Sequence, residues 1–280
     1  MKYLKTILLL SGFLLFFACD QINNPLKEKQ EGTCGDETQP VPIRKILVED
    51  YTGHRCPNCP AASEILEEIK NDYCDHVIPL AVHVGFFALP TEPDFPEDFR
   101  TETGTTLDEV YGISAKGLPA GMINRTEFNG NTVLGKDTWR AAVDAVYDIN
   151  PEVNIIIESS YNQEENSVSV NITAEFLGDI QEAVNLGLYV TEDSIVAPQQ
   201  VENTYNPEYV HRYMLKKGIN GAFGEKILNS AKKGDTFEKQ FTFYPDTEWN
   251  LNRLTLIAFV SRNSTDEILQ AESEPLNLSN

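Results

Sequence analysis

Two cysteines spaced three residues apart lie where a short strand gives way to a helix, and this arrangement constrains the fold more than any other feature of the chain. Residues 46–48 are an apolar run typical of a buried strand. Beyond Cys59, apolar residues recur at the spacing of an amphipathic helix, and Pro60 suits a first turn, which needs no amide donor. The sequence therefore predicts that the Cys-Pro-Asn-Cys motif of residues 56–59 lies at the N-terminus of a helix.

This position predicts a reactive thiol at Cys56. The free N–H groups and the partial positive charge of a helix N-terminus stabilise a thiolate, and Arg55 adds a positive charge next to it. Cys59 lies about one turn further along and can attack a mixed disulfide formed on Cys56. Cys56 is therefore the predicted nucleophile and Cys59 the resolving thiol. His54 either tunes Cys56 and helps to transfer protons or packs against the turn.

The order of strand, acidic residue, turn and CxxC motif resembles the thioredoxin superfamily. Asp50 lies six residues before Cys56, and the resemblance implies that its carboxylate accepts the proton of Cys59. Structural pairing inside the core is the alternative role of Asp50. The Leu118–Pro119 bond resembles the cis-proline of that superfamily, which precedes a strand and packs against the disulfide. The dipeptide between the cysteines is Pro-Asn rather than Gly-Pro, so the redox potential of thioredoxin does not carry over.

The first residues have the form of a bacterial signal sequence. Two lysines precede an apolar run, residues 7–18, that is too short to span a membrane as a helix. The run ends in Leu-Phe-Phe-Ala-Cys, which resembles a lipobox, and the resemblance implies that residues 1–18 are removed and that Cys19 carries the lipid. Phe16 departs from the usual leucine, and a plain secretory signal is the alternative. In both cases we expect the mature protein to work outside the cytoplasm.

The negative charge of the chain argues against one class of partner. Its formal net charge is −21, and the predicted removal of residues 1–18 takes away two lysines. An acidic surface repels the phosphates of nucleic acids and of anionic lipids. We therefore expect no binding to nucleic acid, and we expect attachment to the membrane through the lipid on Cys19.

Four cysteines follow the predicted lipidation site, and four cysteines allow three pairings. We favour a redox pair of Cys56 and Cys59 with a structural disulfide between Cys34 and Cys74, as suits an oxidising compartment. Free thiols at Cys34 and Cys74 are the alternative. A zinc site that adds Cys74 and His76 to the motif is the least favoured, because no second CxxC motif follows. No nucleotide-binding glycine loop is present either, so we expect no metal and no cofactor.

The pattern of the chain changes near residue 150. Residues 19–42 are polar and rich in Gln, Glu, Asn and Pro, which predicts a flexible lipidated tether. Residues 43–150 mix apolar strands with amphipathic helices, whereas residues 151–280 contain short segments of alternating apolar residues between turns. The predicted fold is therefore an α/β thioredoxin-like domain followed by an all-β sandwich-like domain.

Three short segments of the chain form a recognisable set. They are Glu-Asp-Tyr-Thr-Gly-His-Arg-Cys-Pro-Asn-Cys-Pro at residues 49–60, His-Arg at residues 211–212 followed by Asn-Gly, and Ala-Phe-Val-Ser-Arg-Asn at residues 258–263. Together they resemble the outer-membrane lipoproteins related to the 28-kilodalton outer membrane protein, over residues 43–280. The resemblance implies a lipid-anchored protein of the outer membrane of a Gram-negative bacterium, on the periplasmic face or the cell surface. It implies no particular activity.

Two hypotheses of function follow from these observations. The first is a thiol–disulfide oxidoreductase of the cell envelope that exchanges with protein thiols or disulfides through Cys56. The Pro119 loop and residues 86–99 would form its substrate groove. The second is a non-catalytic surface binding or adhesion lipoprotein, in which the CxxC pair is a structural disulfide and the β domain binds an envelope protein around residues 209–224.

Overall fold

The structure is a computed structural model that describes residues 42–278. The predicted signal peptide (residues 1–18), the lipidation site Cys19, all but the last residue of the tether (residues 19–42) and Cys34 lie outside the described residues. What the sequence predicts for them stays a prediction. None of the described helices is both long enough and apolar enough to cross a membrane.

The first part of the chain alternates strands with helices, as a thioredoxin-like fold requires. Helix α1 begins at the second cysteine of the motif, directly after the turn that follows the first strand. The elements are β1 (Ile46–Thr52), α1 (Cys59–Tyr73), β2 (Val77–His83), α2 (Glu102–Tyr111), α3 (Ile113–Lys116), β3 (Ala120–Ile123), β4 (Leu134–Gly135) and α4 (Trp139–Tyr147).

The second part consists of strands joined by turns, with one short 3-10 helix at Leu251–Arg253. The strands are β5 (Val153–Asn162), β6 (Ser167–Phe176), β7 (Val184–Glu192), β8 (Ile195–Val201), β9 (Thr204–His211), β10 (Met214–Gly218), β11 (Glu225–Leu228), β12 (Thr236–Phe243), β13 (Leu254–Arg262) and β14 (Ile268–Pro275).

The two parts of the chain share one sheet. Its strands follow in the order β14, β13, β7, β10, β2, β1, β3 and β4, and β11 also pairs with β7. The junction is the parallel pair of β10 and β2, where Met214 lies opposite Ala81. The N–H of Ala81 donates to the carbonyl oxygen of Tyr213 over 2.9 Å. The change of pattern near residue 150 is thus a change of secondary structure, and the sheet continues through both parts.

Strand β1 lies inside this sheet and faces a different core on each side. All of its residues are buried. Ile46 and Val48 pack against apolar residues of α1 and α4, whereas Leu47 and Tyr51 belong to a core on the other face, with residues of α2, β7 and β13. Because successive side chains of a strand point to opposite faces, the two acidic residues that follow Val48 also point to opposite faces.

A second sheet, formed by β12, β6 and β5, completes the β-rich part. Along β6 every second residue from Val168 to Phe176 is buried, and these side chains share one core with apolar residues of β7 and β13. Two sheets that bury alternate residues between them form a sandwich. The predicted fold class, an α/β thioredoxin-like part followed by a β-sandwich-like part, is therefore confirmed.

Strands β8 and β9 form a separate two-stranded sheet, the β8–β9 hairpin. Its inner face is buried at Ala197 and Gln199, whereas Val196 and Val210 on its outer face are 61% and 45% exposed. Within the described residues, none between 195 and 211 belongs to any of the three hydrophobic cores. Hydrogen bonds and ring contacts, rather than a shared apolar core, hold the hairpin to the rest of the chain.

Candidate redox site

The CxxC motif lies at the junction that the sequence predicts. Cys56 and Cys59 form a disulfide with a Cα–Cα distance of 5.4 Å, and Pro60 occupies the first turn of α1. The N–H of Cys56 donates to the Gly53 carbonyl oxygen over 2.9 Å, which closes the turn between β1 and the motif. The disulfide therefore lies at the N-terminus of α1, where amide groups favour a thiolate once the pair is reduced.

The disulfide is buried, whereas a reactive thiol of the kind predicted at Cys56 is usually accessible to solvent. Both cysteines are only 1% exposed, because the β8–β9 hairpin lies over the motif. The N–H groups of Gln200 and Glu202 each donate over 2.8 Å, to the carbonyl oxygens of His54 and Pro57 respectively. A sequence separation of more than 140 residues hides this contact from any local reading of the motif.

One side chain of the hairpin reaches the cysteine itself. The side-chain amide of Gln199 is 2% exposed and donates to the carbonyl oxygens of Cys56 (3.1 Å) and Gly53 (3.4 Å). Its neighbour Gln200 instead directs its side-chain amide to Glu202, within the hairpin. Gln199 is thus a residue of the site that the sequence did not indicate.

The segment after β2 encloses the motif from another side. The N–H of Arg55 donates to the Phe87 carbonyl oxygen over 3.0 Å. Gly53 lies so close to this backbone that a Cβ atom would come within 2.6 Å of the Phe87 carbonyl carbon. The glycine of the Thr-Gly-His turn is therefore required by this close approach, for which a side chain leaves no space.

Asp50, the predicted proton acceptor, lies on the buried strand β1, and its role stays a prediction. Its carboxylate is fully buried, the Ser63 hydroxyl donates to Oδ2 over 3.3 Å, and Oδ1 has no hydrogen-bond partner among the described residues. Burial raises the pKa of Asp50 to about 7, and the Ser63 hydrogen bond opposes that rise. A carboxyl group with this pKa can give or take a proton near neutral pH.

Glu49 is equally buried, but it is paired. The Arg125 guanidinium donates to both of its carboxylate oxygens, over distances of 2.8 to 3.3 Å, and also to the Tyr189 hydroxyl over 3.0 Å. The side chains of Glu49 and Arg125 are both fully buried. Glu49 is therefore a structural carboxylate, whereas the carboxylate of Asp50 has no counter-charge among its hydrogen-bond partners in the described residues.

His54 belongs to a cluster of buried rings. Its ring stacks on Phe95 with centroids 5.4 Å apart and meets the edge of Phe99 at 5.5 Å. Phe99 also contacts His83 (5.2 Å) and His211 (5.3 Å). Burial lowers the pKa of all three histidines, that of His211 to about 4, so they are neutral at pH 7. The packing role proposed for His54 fits this arrangement, and its tuning role stays a prediction.

Pro119 lies near the C-terminal end of β1, the end from which the chain continues into the CxxC motif. The Leu118–Pro119 peptide bond is cis, as predicted. Ala120 follows it and pairs with Tyr51, near the end of β1 from which the chain enters the CxxC turn. The predicted role of Pro119 beside the disulfide agrees with this placement and is otherwise untested.

The remaining cysteine that the structure describes is Cys74, at the end of α1. Cys74 is disulfide-bonded. Its predicted partner Cys34 lies outside the described residues, so that pairing stays a prediction. Over residues 42–278, no group of three or more His, Cys, Asp or Glu side chains is arranged to hold a metal ion. The zinc alternative also loses two of its ligands to the Cys56–Cys59 disulfide.

A family model identifies the family of the chain. The model of the outer membrane protein Omp28 matches residues 105–279, which is more than half of the sequence. The chain belongs to the Omp28 family. The resemblance drawn from residues 49–60, 211–212 and 258–263 is thereby confirmed.

Similar proteins cover both parts of this Omp28 family member. A thioredoxin of Methanocaldococcus jannaschii is 30% identical over 105 residues, which are 37% of this chain and 95% of that protein. The structure of HBP35 of Porphyromonas gingivalis is similar with a TM-score of 0.65 and 20% identity, over 84% of this chain and 76% of that one. A domain of the outer membrane lipoprotein Omp28 of Porphyromonas gingivalis matches with a TM-score of 0.32 and 16% identity, over 46% of this chain and 92% of that domain. The first two support the thioredoxin-like fold.

Proposed function

We propose that this Omp28 family member carries out thiol–disulfide exchange at Cys56 and Cys59, as a lipoprotein held in the outer membrane by a lipid on Cys19. The observation that carries the proposal is the disulfide at the N-terminus of α1 together with the unpaired carboxyl group of Asp50 on the preceding strand. The helix N-terminus stabilises the thiolate of Cys56, and a carboxyl group with a pKa of about 7 can donate or accept the proton.

The exchange proceeds in two balanced steps. A substrate thiolate attacks Sγ of Cys56, the bond to Cys59 breaks, and the electron pair passes to Sγ of Cys59, which then takes a proton. A second substrate thiolate attacks the substrate sulfur of the mixed disulfide, so the substrate leaves as a disulfide and Cys56 leaves as a thiolate. The sequence as written oxidises the substrate thiols and reduces the Cys56–Cys59 pair, and the reverse sequence reduces a substrate disulfide.

The buried state of the disulfide requires the tip of the β8–β9 hairpin, residues 199–205, to move before a substrate arrives. Hydrogen bonds from Gln199, Gln200 and Glu202 hold this tip against the motif, and no core residue anchors it within the described chain. Segments with few buried apolar contacts open at a lower free energy than the whole protein unfolds. The β8–β9 hairpin is thus a cover over the site in its resting state.

The reduction potential of the Cys56–Cys59 pair tests the proposed function. The purified protein is equilibrated against thiol buffers, and we expect a potential of roughly −270 to −120 mV, the range of exchange catalysts. In the Cys59→Ser variant we expect a stable mixed disulfide on Cys56, whereas Cys56→Ser traps nothing. A pair that stays oxidised below about −300 mV, with no trapped species, would overturn the proposal.

If the β8–β9 hairpin covers the disulfide, weakening its contacts should raise the rate at which the disulfide is reduced. Gln199→Ala removes two hydrogen bonds to the motif, which are worth roughly 1 kcal/mol each, so we expect reduction by dithiothreitol to be about thirty times faster. Gln200→Ala is the matched control, because its side chain bonds only within the hairpin. Equal rates for both variants and the unmodified protein would show that the hairpin does not limit access.

The burial of the pair favours one competing function, a non-catalytic binding lipoprotein with a structural disulfide. Of the residues expected in its interface, His211 is 5% exposed and lies inside the ring cluster, whereas Arg212 is exposed and pairs with Asp193 over 2.7 Å. In this alternative, the Cys56→Ser protein keeps full binding to its envelope partner and Arg212→Ala loses it. The potential measured above decides between the two functions.

A further inference from the structure

A small cavity of about 100 Å³ lies beside Asp50. A space of this size has room for several water molecules. Both parts of the chain contribute to it, although the redox motif belongs to the first part alone. The side chains that matter here are Ser63 and Glu67 from α1, Tyr209 from β9, and Arg212 and Tyr213, which follow β9.

A row of hydroxyl groups connects the buried acid to this cavity. Ser63 lies one helical turn after Cys59, and its Oγ is 3.3 Å from Oδ2 of Asp50 and 3.5 Å from the Cys59 carbonyl oxygen. The Tyr209 hydroxyl lies close enough to Ser63 for that side chain to lower the pKa of Tyr209. Oδ1 of Asp50 has no partner among the described residues and is fully buried. An unpartnered buried carboxylate oxygen is costly unless water or a proton satisfies it.

The other ionisable groups around the cavity leave Asp50 as its proton-exchanging group. The Arg212 guanidinium lies 3.6 Å from Glu67 and 2.7 Å from Asp193, so each of these carboxylates has a positive charge beside it. Glu64 lines the cavity from an exposed position on α1. Burial raises the pKa of Tyr209 and that of Tyr213, so both hydroxyls stay protonated at neutral pH.

We propose that Ser63 and Tyr209 are positioning residues that pass protons between Asp50 and the water in this cavity, so that the β-rich part completes the redox site. The inference rests on the proposed function, because Asp50 needs such a route only if Cys59 takes up and releases protons. The two hydroxyls act through Asp50 and do not touch the reacting sulfur atoms.

Each half-reaction then moves one proton along a defined path. When the Cys56–Cys59 bond opens, the Cys59 thiolate takes the proton of Asp50, and the Asp50 carboxylate is reprotonated from the cavity through Tyr209 and Ser63. When the bond closes, Cys59 returns its proton to Asp50, and the proton leaves by the same route. No oxidant or reductant beyond the substrate dithiol or disulfide is needed.

Hydroxyl deletions with matched controls test this route. We expect Tyr209→Phe and Ser63→Ala each to slow turnover between the protein and dithiothreitol by about three- to tenfold, a modest share of the usual effect of acid–base catalysis. We also expect a larger solvent deuterium isotope effect and an unchanged reduction potential. Ser63→Thr keeps a hydroxyl and restores the rate lost in Ser63→Ala. Tyr161→Phe is the control, since the Tyr161 hydroxyl on β5 donates to Oδ1 of Asn166 instead.

A second measurement needs no turnover. The titration of Asp50 is followed in the oxidised protein by infrared or NMR spectroscopy, and loss of the Ser63 hydroxyl raises the pKa of Asp50 because that hydrogen bond lowers it. Rates, isotope effects and titrations equal to those of the unmodified protein in both deletion variants would overturn the route. Failure of the unmodified protein to exchange at all would instead overturn the proposed function, and an unchanged Asp50 titration in Ser63→Ala would then count against the route as well.

Discussion

Two neighbouring carboxylates on β1, Glu49 and Asp50, are both fully buried and yet lie in opposite electrostatic surroundings. On the face of Glu49, Arg125 donates to both carboxylate oxygens, and Tyr189 completes the network. On the face of Asp50, the Ser63 hydroxyl is the only hydrogen-bond partner that the described residues provide to the carboxylate, and a small cavity lies beside it.

The two carboxylates therefore differ in their partners, since Glu49 is paired with a guanidinium and Asp50 is not. The buried pair of Glu49 and Arg125 ties β1 to its neighbours, because Arg125 comes from the loop after β3 and its partner Tyr189 from β7. A buried carboxyl group without a counter-charge is easier to protonate, which is why its pKa rises toward neutral. Two acidic side chains on one strand thus differ in role: Glu49 is structural, and Asp50 is the proton donor and acceptor of the proposed function.

Loss of the Glu49–Arg125 pair should have the largest effect on the free energy of unfolding. Arg125→Met leaves the charge of Glu49 buried without a partner, and we expect a loss of about 3–5 kcal/mol in the free energy of unfolding. Urea denaturation of the oxidised protein at pH 7 measures this loss. Arg140→Met is the control, since Arg140 pairs with Asp72 at the surface over 2.6 Å and such pairs are worth about 1 kcal/mol or less. Equal losses in both variants would contradict the contrast between the two faces.

Substitution of Asp50, on the other face of β1, should stabilise the protein at neutral pH, whereas substitution of Arg125 destabilises it. The pKa of Asp50 is about 7 in the folded protein and 3.8 in a model peptide, so the folded state binds the extra proton and loses stability as the pH rises between these values. Asp50→Asn removes this loss. The stability of the variant relative to the unmodified protein should therefore increase by about 2–3 kcal/mol between pH 5 and pH 7.5, at 1.36 kcal/mol per pKa unit. Denaturant titrations at the two pH values measure it, and a constant difference would refute it.

The smallest effect concerns the ring cluster under the β8–β9 hairpin. Burial lowers the pKa of His211 to about 4 from a usual 6.5, so the unfolded state binds the extra proton and stability falls as the pH drops through this window. In His211→Phe we expect this acid-side loss to be smaller by about 1–2 kcal/mol between pH 7 and pH 5. Tyr205→Phe, at an exposed hairpin position, serves as the control. Parallel stability curves for all three proteins would argue against a neutral buried His211.

Local sequence determined the part of the candidate site around the CxxC motif. The strand, the turn at Gly53, the motif of residues 56–59 and the helix behind it are encoded by short-range periodicity and by Pro60, which need no distant contact to be recognised. Period-two alternation also separates Glu49 from Asp50, and the spacing to Cys56 points to Asp50. For the same reason the strand pattern beyond residue 150 predicted the β-sandwich-like part.

Only the tertiary structure decided how accessible and how charged that site is. The sheet that joins β10 to β2 brings the β8–β9 hairpin over the disulfide, and it brings Tyr209 to Ser63. It also places Arg125 on Glu49 rather than on Asp50. These contacts join residues 64 to 146 positions apart, and no local pattern encodes them, since they depend on which strands become neighbours when the two parts fold into one sheet.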